Sequence, residues 1–238
     1  MVGYLVAFAI LLAAYAVGLF LLLRLRAPLR HADLCFAAFV HLAYLLGAVL
    51  ILLDVGFHDW NFQNALPTAN ISPLAFFTLP LMLLLRGRAR TAYLTMISLL
   101  SFGMVAAGML TLIGNALRDY ALHFTILLDS VNHAVLSLFG IYLVKSGQVR
   151  LARRDCIAAA SAVFGAAVLA LLLNLIFHTA FFGLSLYGEH NIYNNVLTES
   201  GILSALLYFL GLAAVLLAGL LYCKILTGRT PTDERSNL

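Results

Sequence analysis

Seven apolar stretches, each about the twenty residues that a helix needs to cross a bilayer, run along the chain. With one exception the basic residues occupy every second gap between them. The stretches are Val2–Leu23, Leu34–Leu53, Leu66–Leu85, Tyr93–Ile113, Phe124–Val144, Cys156–Phe177 and Ile202–Leu226. Arg24, Arg26 and Arg30 follow the first. Arg86, Arg88 and Arg90 follow the third, and Lys145, Arg150, Arg153 and Arg154 follow the fifth. Lys224, Arg229 and Arg235 follow the seventh, and only Arg118 falls elsewhere. Seven spans with positive charge on alternate sides predict an all-α polytopic bundle. The N-terminus is expected outside and the C-terminus in the cytoplasm.

Composition agrees and excludes the alternatives. The chain of 238 residues is 63% hydrophobic and 10% charged, against about 25% charged in soluble domains. A soluble fold of this size cannot hide so much apolar surface. The pI of about 9.1 reflects the basic loops, so it marks topology and not nucleic-acid binding. The first stretch has no Lys or Arg before it, and its charges follow it. It reads as a retained helix and not as a cleaved signal. The chain reads as one transmembrane domain over 1–226 with a polar tail over 227–238. The expected location is a membrane, crossed many times.

The opposite loops carry Asp54, Asp59, Asp119, Glu189 and Glu199, with Trp60, Tyr120 and Tyr187 at interfacial positions. The long outer stretch His178–Gly201 either caps the mouth of the bundle or is a simple interfacial loop. Cys35, Cys156 and Cys223 are far apart, with no metal-ligand spacing. They read as small hydrophobes. No metal or organic cofactor is implied.

An ionisable side chain inside a span is expensive and points to function. Asp129 and His133 in span five are the leading pair, four residues apart on one helical face. His133 falls near the midplane, with Asn132 beside it. A carboxylate can orient an imidazole and leave its other nitrogen as base or acid. The plainer reading is a polar patch that joins neighbouring helices. Thr68, Asn70 and Ser72 at the start of span three, Asn174 and His178 at the end of span six, and His41 with Tyr44 in span two lie at similar depth. If these faces converge they form a polar pocket in the outer half of the bundle. In span four, Thr95, Ser98, Ser101, Gly108 and Thr111 form a stripe of small residues, which is read as helix packing.

Several of these segments resemble known families. LDSVNHAVLSLFGIYLVKSG around His133 resembles the Asn-His helix of the androgen-induced membrane hydrolases. Those enzymes cleave fatty-acid esters of hydroxy fatty acids with an intramembrane Thr and His. LPTANISPLAFFTLPLMLLLRGR, NHAVLSL, LLLNLIF and NIYNNVL together resemble the YwaF-type integral membrane proteins. Their eukaryotic relatives include an acyltransferase of ether phospholipids that uses a Cys and a His. The resemblance implies that His133 is the functional histidine of span five and that Asn174 is the span-six asparagine. Aligned on Asn70-Ile71-Ser72, it places Ala69 at the acyltransferase cysteine. That departure speaks against Cys-based transfer. Thr68, one residue away, resembles the hydrolase threonine, so the resemblance implies either Thr- or Ser-based chemistry through Thr68 or Ser72, or chemistry that has been lost.

The expected function is therefore a lipid-modifying membrane enzyme, an ester hydrolase or acyltransferase, with a membrane lipid as substrate. His133 would be the base, oriented by Asp129, with Thr68 or Ser72 as nucleophile. Asn70, Asn132, Asn174, His178 and His41 would line the substrate and oxyanion pocket. Two alternatives stay open: a proton-coupled transporter, and a seven-helix receptor or assembly protein that acts through a partner.

Overall fold

The computed structural model describes residues 2–25, 29, 31–53, 71–117, 122–177, 182, 184 and 201–228. Among these the chain is all helical. The helices are α1 (Val2–Arg24), α2 (Ala32–Leu52), α3 (Ile71–Thr78), α4 (Leu81–Leu84), α5 (Gly87–Leu117), α6 (Phe124–Lys145), α7 (Arg153–Phe177) and α8 (Gly201–Thr227). Six of them (α1, α2, α5, α6, α7 and α8) are long and apolar enough to cross a membrane. The chain is a multi-pass integral membrane protein.

The bundle is organised around an antiparallel pair, α5 and α6. Helix α6 is enclosed by α5, α2, α1, α8 and α3, while α5 also carries α7 and α4. The pair meets along small residues. A methyl group added at Gly140 of α6 would stand 2.9 Å from the Ile97 carbonyl and from Ser101 of α5. Thr95, Ser98 and Ser101 are fully buried. The Ser98 hydroxyl lies 3.1 Å from the Leu94 carbonyl and 3.0 Å from the Gly140 carbonyl, so one proton serves both helices. Small side chains let the backbones approach, and the Ser98 and Ser101 hydroxyls bind carbonyls without leaving the interface. On the same stripe, Gly219 of α8 packs on the carbonyl of Leu99.

Helices α1 and α2 are different. Most of their apolar side chains face outward, and α1 buries only Tyr4, Tyr15 and Leu22. A helix that shows hydrocarbon on its outer faces is at home in lipid. One hydroxyl cluster holds α1 inward. The Tyr15 hydroxyl is 2.8 Å from Ser137 Oγ of α6 and 2.6 Å from the Tyr222 hydroxyl of α8.

The third expected span departs from a continuous helix within the described residues. It runs as α3, turns at Leu79–Pro80, and resumes as the single turn α4. Proline has no N–H and cannot bond the carbonyl four residues back. Around the break the bonds tighten to Met82 N–Leu79 O at 3.2 Å and Leu83 N–Pro80 O at 3.0 Å. Pro73 causes no such damage, because it lies in the first turn, where no intrahelical partner is needed. The fourth expected span is longer than its apolar core. Helix α5 begins at Gly87, among the basic residues, and its 31 residues span about 46 Å at 1.5 Å each.

A polar clamp closes the end of the bundle where α2 begins and α6 finishes. Arg90 Nη2 donates to Asp33 Oδ2 at 2.8 Å and to Gln148 Oε1 at 3.2 Å. Gln148 Nε2 donates to Asp33 Oδ1 at 2.8 Å. Arg90 Nε donates to the Met82 carbonyl at 3.2 Å. That carbonyl is left over because Leu85 is extended and α4 stops there. One guanidinium thus joins α2, α4, α5 and the α6–α7 turn.

Candidate functional site

Residues of α6 build the site, since this helix has the fewest lipid-facing positions. His133 is nearly buried, with its side chain 7% exposed, and Asp129 one turn earlier is 25% exposed. His133 Nδ1 lies 2.8 Å from the main-chain carbonyl of Asp129 and 3.4 Å from its carboxylate oxygen Oδ2. A carbonyl can only accept, so Nδ1 carries a proton. The basic lone pair of the neutral ring is then on Nε2. Nε2 has no hydrogen-bond partner among the described residues. The arrangement is an oriented imidazole with one nitrogen committed and the other available.

Three neighbours shape the ring's surroundings. On α5, Gly108 admits the Cβ of His133, which would lie 2.9 Å from an added methyl. On α3, the ring of Phe76 meets His133 edge-on at 4.8 Å. On α2, Val40 is held from the adjacent residue, with Asn132 Nδ2 donating to its carbonyl at 3.1 Å. Asn132 Oδ1 is buried and has no partner among the described residues. Asn132 therefore offers an acceptor from its oxygen, which suits a hydroxyl and not an oxyanion.

The other expected residues separate into three groups. Ser72 is half-buried, one turn from Phe76 on α3, and no hydrogen bond joins it to His133. His41 reaches the Phe76 carbonyl with Nδ1 at 3.4 Å, and its ring lies 5.7 Å from that of Phe77. Asn174 is on the far side of the bundle. Its helix α7 packs on α5 and α8, and its Nδ2 donates to the Leu184 carbonyl at 2.6 Å. It fastens the chain beyond α7 and stands apart from His133. Thr68, Asn70 and His178 lie outside the described residues, as do the outer acidic and aromatic residues named above. Among the described residues no group of three or more His, Cys, Asp or Glu could hold a metal.

Two features were not legible as parts of the site. Phe76 sits in an apolar run and carries no signal of its own. The clamp of Asp33, Arg90 and Gln148 is spread over 115 residues. Its one sequence hint is an acid in the first turn of α2 on the side where the basic residues gather.

Comparison of the chain with family models, curated proteins and solved structures finds no match.

Proposed function

We propose that the protein is a lipid-modifying enzyme of the bacterial inner membrane, crossing it seven times with its N-terminus outside. The observation that carries this reading is the fixed ring of His133, with Nδ1 held by Asp129 and Nε2 without a hydrogen-bond partner among the described residues. A general base needs that arrangement. Nε2 takes the proton of a hydroxyl from the start of span three, and the freed oxygen attacks the ester carbonyl of a lipid. The leaving alkoxide recovers the proton from His133 as the acyl group stays on the protein. Water or a second lipid alcohol then accepts that acyl group. Thr68 and Ser72 are the candidate nucleophiles, and the likeness of this segment to Thr/His hydrolases supports them. No cofactor enters the scheme.

The test is turnover of a fatty-acid 4-nitrophenyl ester and of phospholipid vesicles by the purified protein. His133→Ala is expected to abolish turnover while the protein still folds, and Thr68→Ala or Ser72→Ala to abolish acyl-protein formation. Undiminished turnover by His133→Ala overturns the proposal.

One observation favours a second reading, a proton-linked carrier. Span three is broken at Leu79–Pro80, and Phe76 just before the break touches His133. Broken helices beside titratable groups at mid-membrane are the usual design of carriers. Proton uptake by proteoliposomes that disappears in Asp129→Asn supports this reading, and uptake unaffected by that change removes it.

A further inference from the structure

The chemistry of His133 depends on the ring staying where α3 puts it, and α3 has lost a backbone bond at the point of contact. In a continuous helix the carbonyl of Phe76 would accept from the N–H of residue 80. Residue 80 is proline, so that carbonyl is orphaned, and in a membrane there is no water to satisfy it. Among the described residues its side-chain donor is His41 Nδ1 of α2, at 3.4 Å, the long end of the range for such a bond. Because a carbonyl only accepts, His41 must carry its proton on Nδ1.

The same stretch of α2 grips its surroundings more widely. The ring of Tyr44, one turn on, is 6.3 Å from those of Phe76 and Phe77. Val40, the residue before His41, receives the Asn132 amide. Two consecutive residues of α2 thus hold two neighbours of His133, the Asn132 side chain of α6 through the Val40 carbonyl and the α3 backbone at Phe76 through the His41 ring. Phe76, 1% exposed, transmits the second of these to the imidazole.

We propose that His41 is a positioning residue for His133. It supplies the hydrogen bond that Pro80 denies to Phe76 and so holds the Phe76 ring against the imidazole. This role is independent of whether His133 serves an ester or a transported proton. Its test therefore reads the ring of His133 and not turnover.

The experiment uses full-length protein in detergent micelles, labelled with 15N-histidine. The readouts are the ring 15N shifts of His133 and its rate of modification by diethyl pyrocarbonate, followed by mass spectrometry. His41→Ala is expected to change the His133 shifts and to raise its modification rate about three-fold, the factor for one average interhelical hydrogen bond in a membrane. His41→Asn places an N–H where Nδ1 was and is expected to keep both readouts near native. Adding Pro80→Ala to His41→Ala is expected to restore them, because Pro80 already has helical backbone angles and alanine returns the missing N–H. Pro80→Ala alone is expected to free the His41 ring for modification while His133 stays protected. That arm stands even if His41→Ala does not fold. Unchanged His133 readouts in His41→Ala, or no restoration by Pro80→Ala, overturn the proposal.

Discussion

Gly108 of α5 and His133 of α6 are in contact through backbone and Cβ, with no room for a methyl group between them. A carbon added at Gly108 would stand 2.9 Å from the His133 Cβ and 2.9 Å from the Ser130 carbonyl. The position of the imidazole thus depends on the absence of a side chain on the facing helix. Gly108→Ala is expected to destabilise the protein by about 1–3 kcal/mol, the range for overpacking, and to displace His133. Gly114→Ala in the same helix meets nothing within 4 Å. It is expected to be neutral or to stabilise by up to about 1 kcal/mol through helix propensity. Thermal unfolding of both variants in one detergent separates the contact from the propensity.

Gly219 of α8 is packed more tightly still, on the carbonyl of Leu99. A carbonyl held in a helix cannot rotate aside as a side chain can. Gly219→Ala is therefore expected to cost more than Gly108→Ala and to loosen α8 from α5. A lower midpoint than Gly108→Ala, with faster proteolysis at the α8 end, is the expected result.

Arg90 is expected to resist conservative replacement. Its guanidinium reaches Asp33, Gln148 and the Met82 carbonyl at once. An ammonium has no second nitrogen at that distance. Arg90→Lys is expected to lose most of the about 1–3 kcal/mol expected from Arg90→Ala, part of the clamp being open to solvent. Urea or thermal midpoints of the two variants decide this. A lysine variant as stable as the native chain would show that charge alone suffices.

Tyr15→Phe removes a hydroxyl that bonds Ser137 and Tyr222. Interhelical hydrogen bonds in membranes average about 0.6 kcal/mol, because the separated helices find other partners. The expected loss is thus under about 2 kcal/mol, despite the short distances. A larger loss, read by unfolding in detergent, would mean that the cluster does more than join α1, α6 and α8.

The proposed orientation has a direct check. In a background with all three cysteines replaced, Val2→Cys is expected to react with an impermeant maleimide added to intact cells. Gly228→Cys is expected to react only after the membrane is opened. The reverse pattern would invert the topology.

The sequence by itself determined the class of the protein and the places of its long helices. Long apolar runs leave the backbone no option in lipid but to bond within the segment, so α1, α2, α6, α7 and α8 fall within a few residues of their expected bounds. It also marked Asp129 and His133, because ionisable groups inside an apolar run stand out. It did not show where those groups lie relative to other helices. Asn174 and His133 are both polar and both buried, yet the helix of Asn174 packs on α5 and α8 and not among the helices that enclose α6 at His133. The fate of a single carbonyl was likewise invisible. Pro80 announces a break, but only packing brings His41 to the freed oxygen of Phe76, and only the clamp brings Arg90 to that of Met82. Periodicity and charge are local properties that a chain carries along its length. Which polar groups meet depends on which helix faces press together, and that was decided by the small residues of α5 and α6.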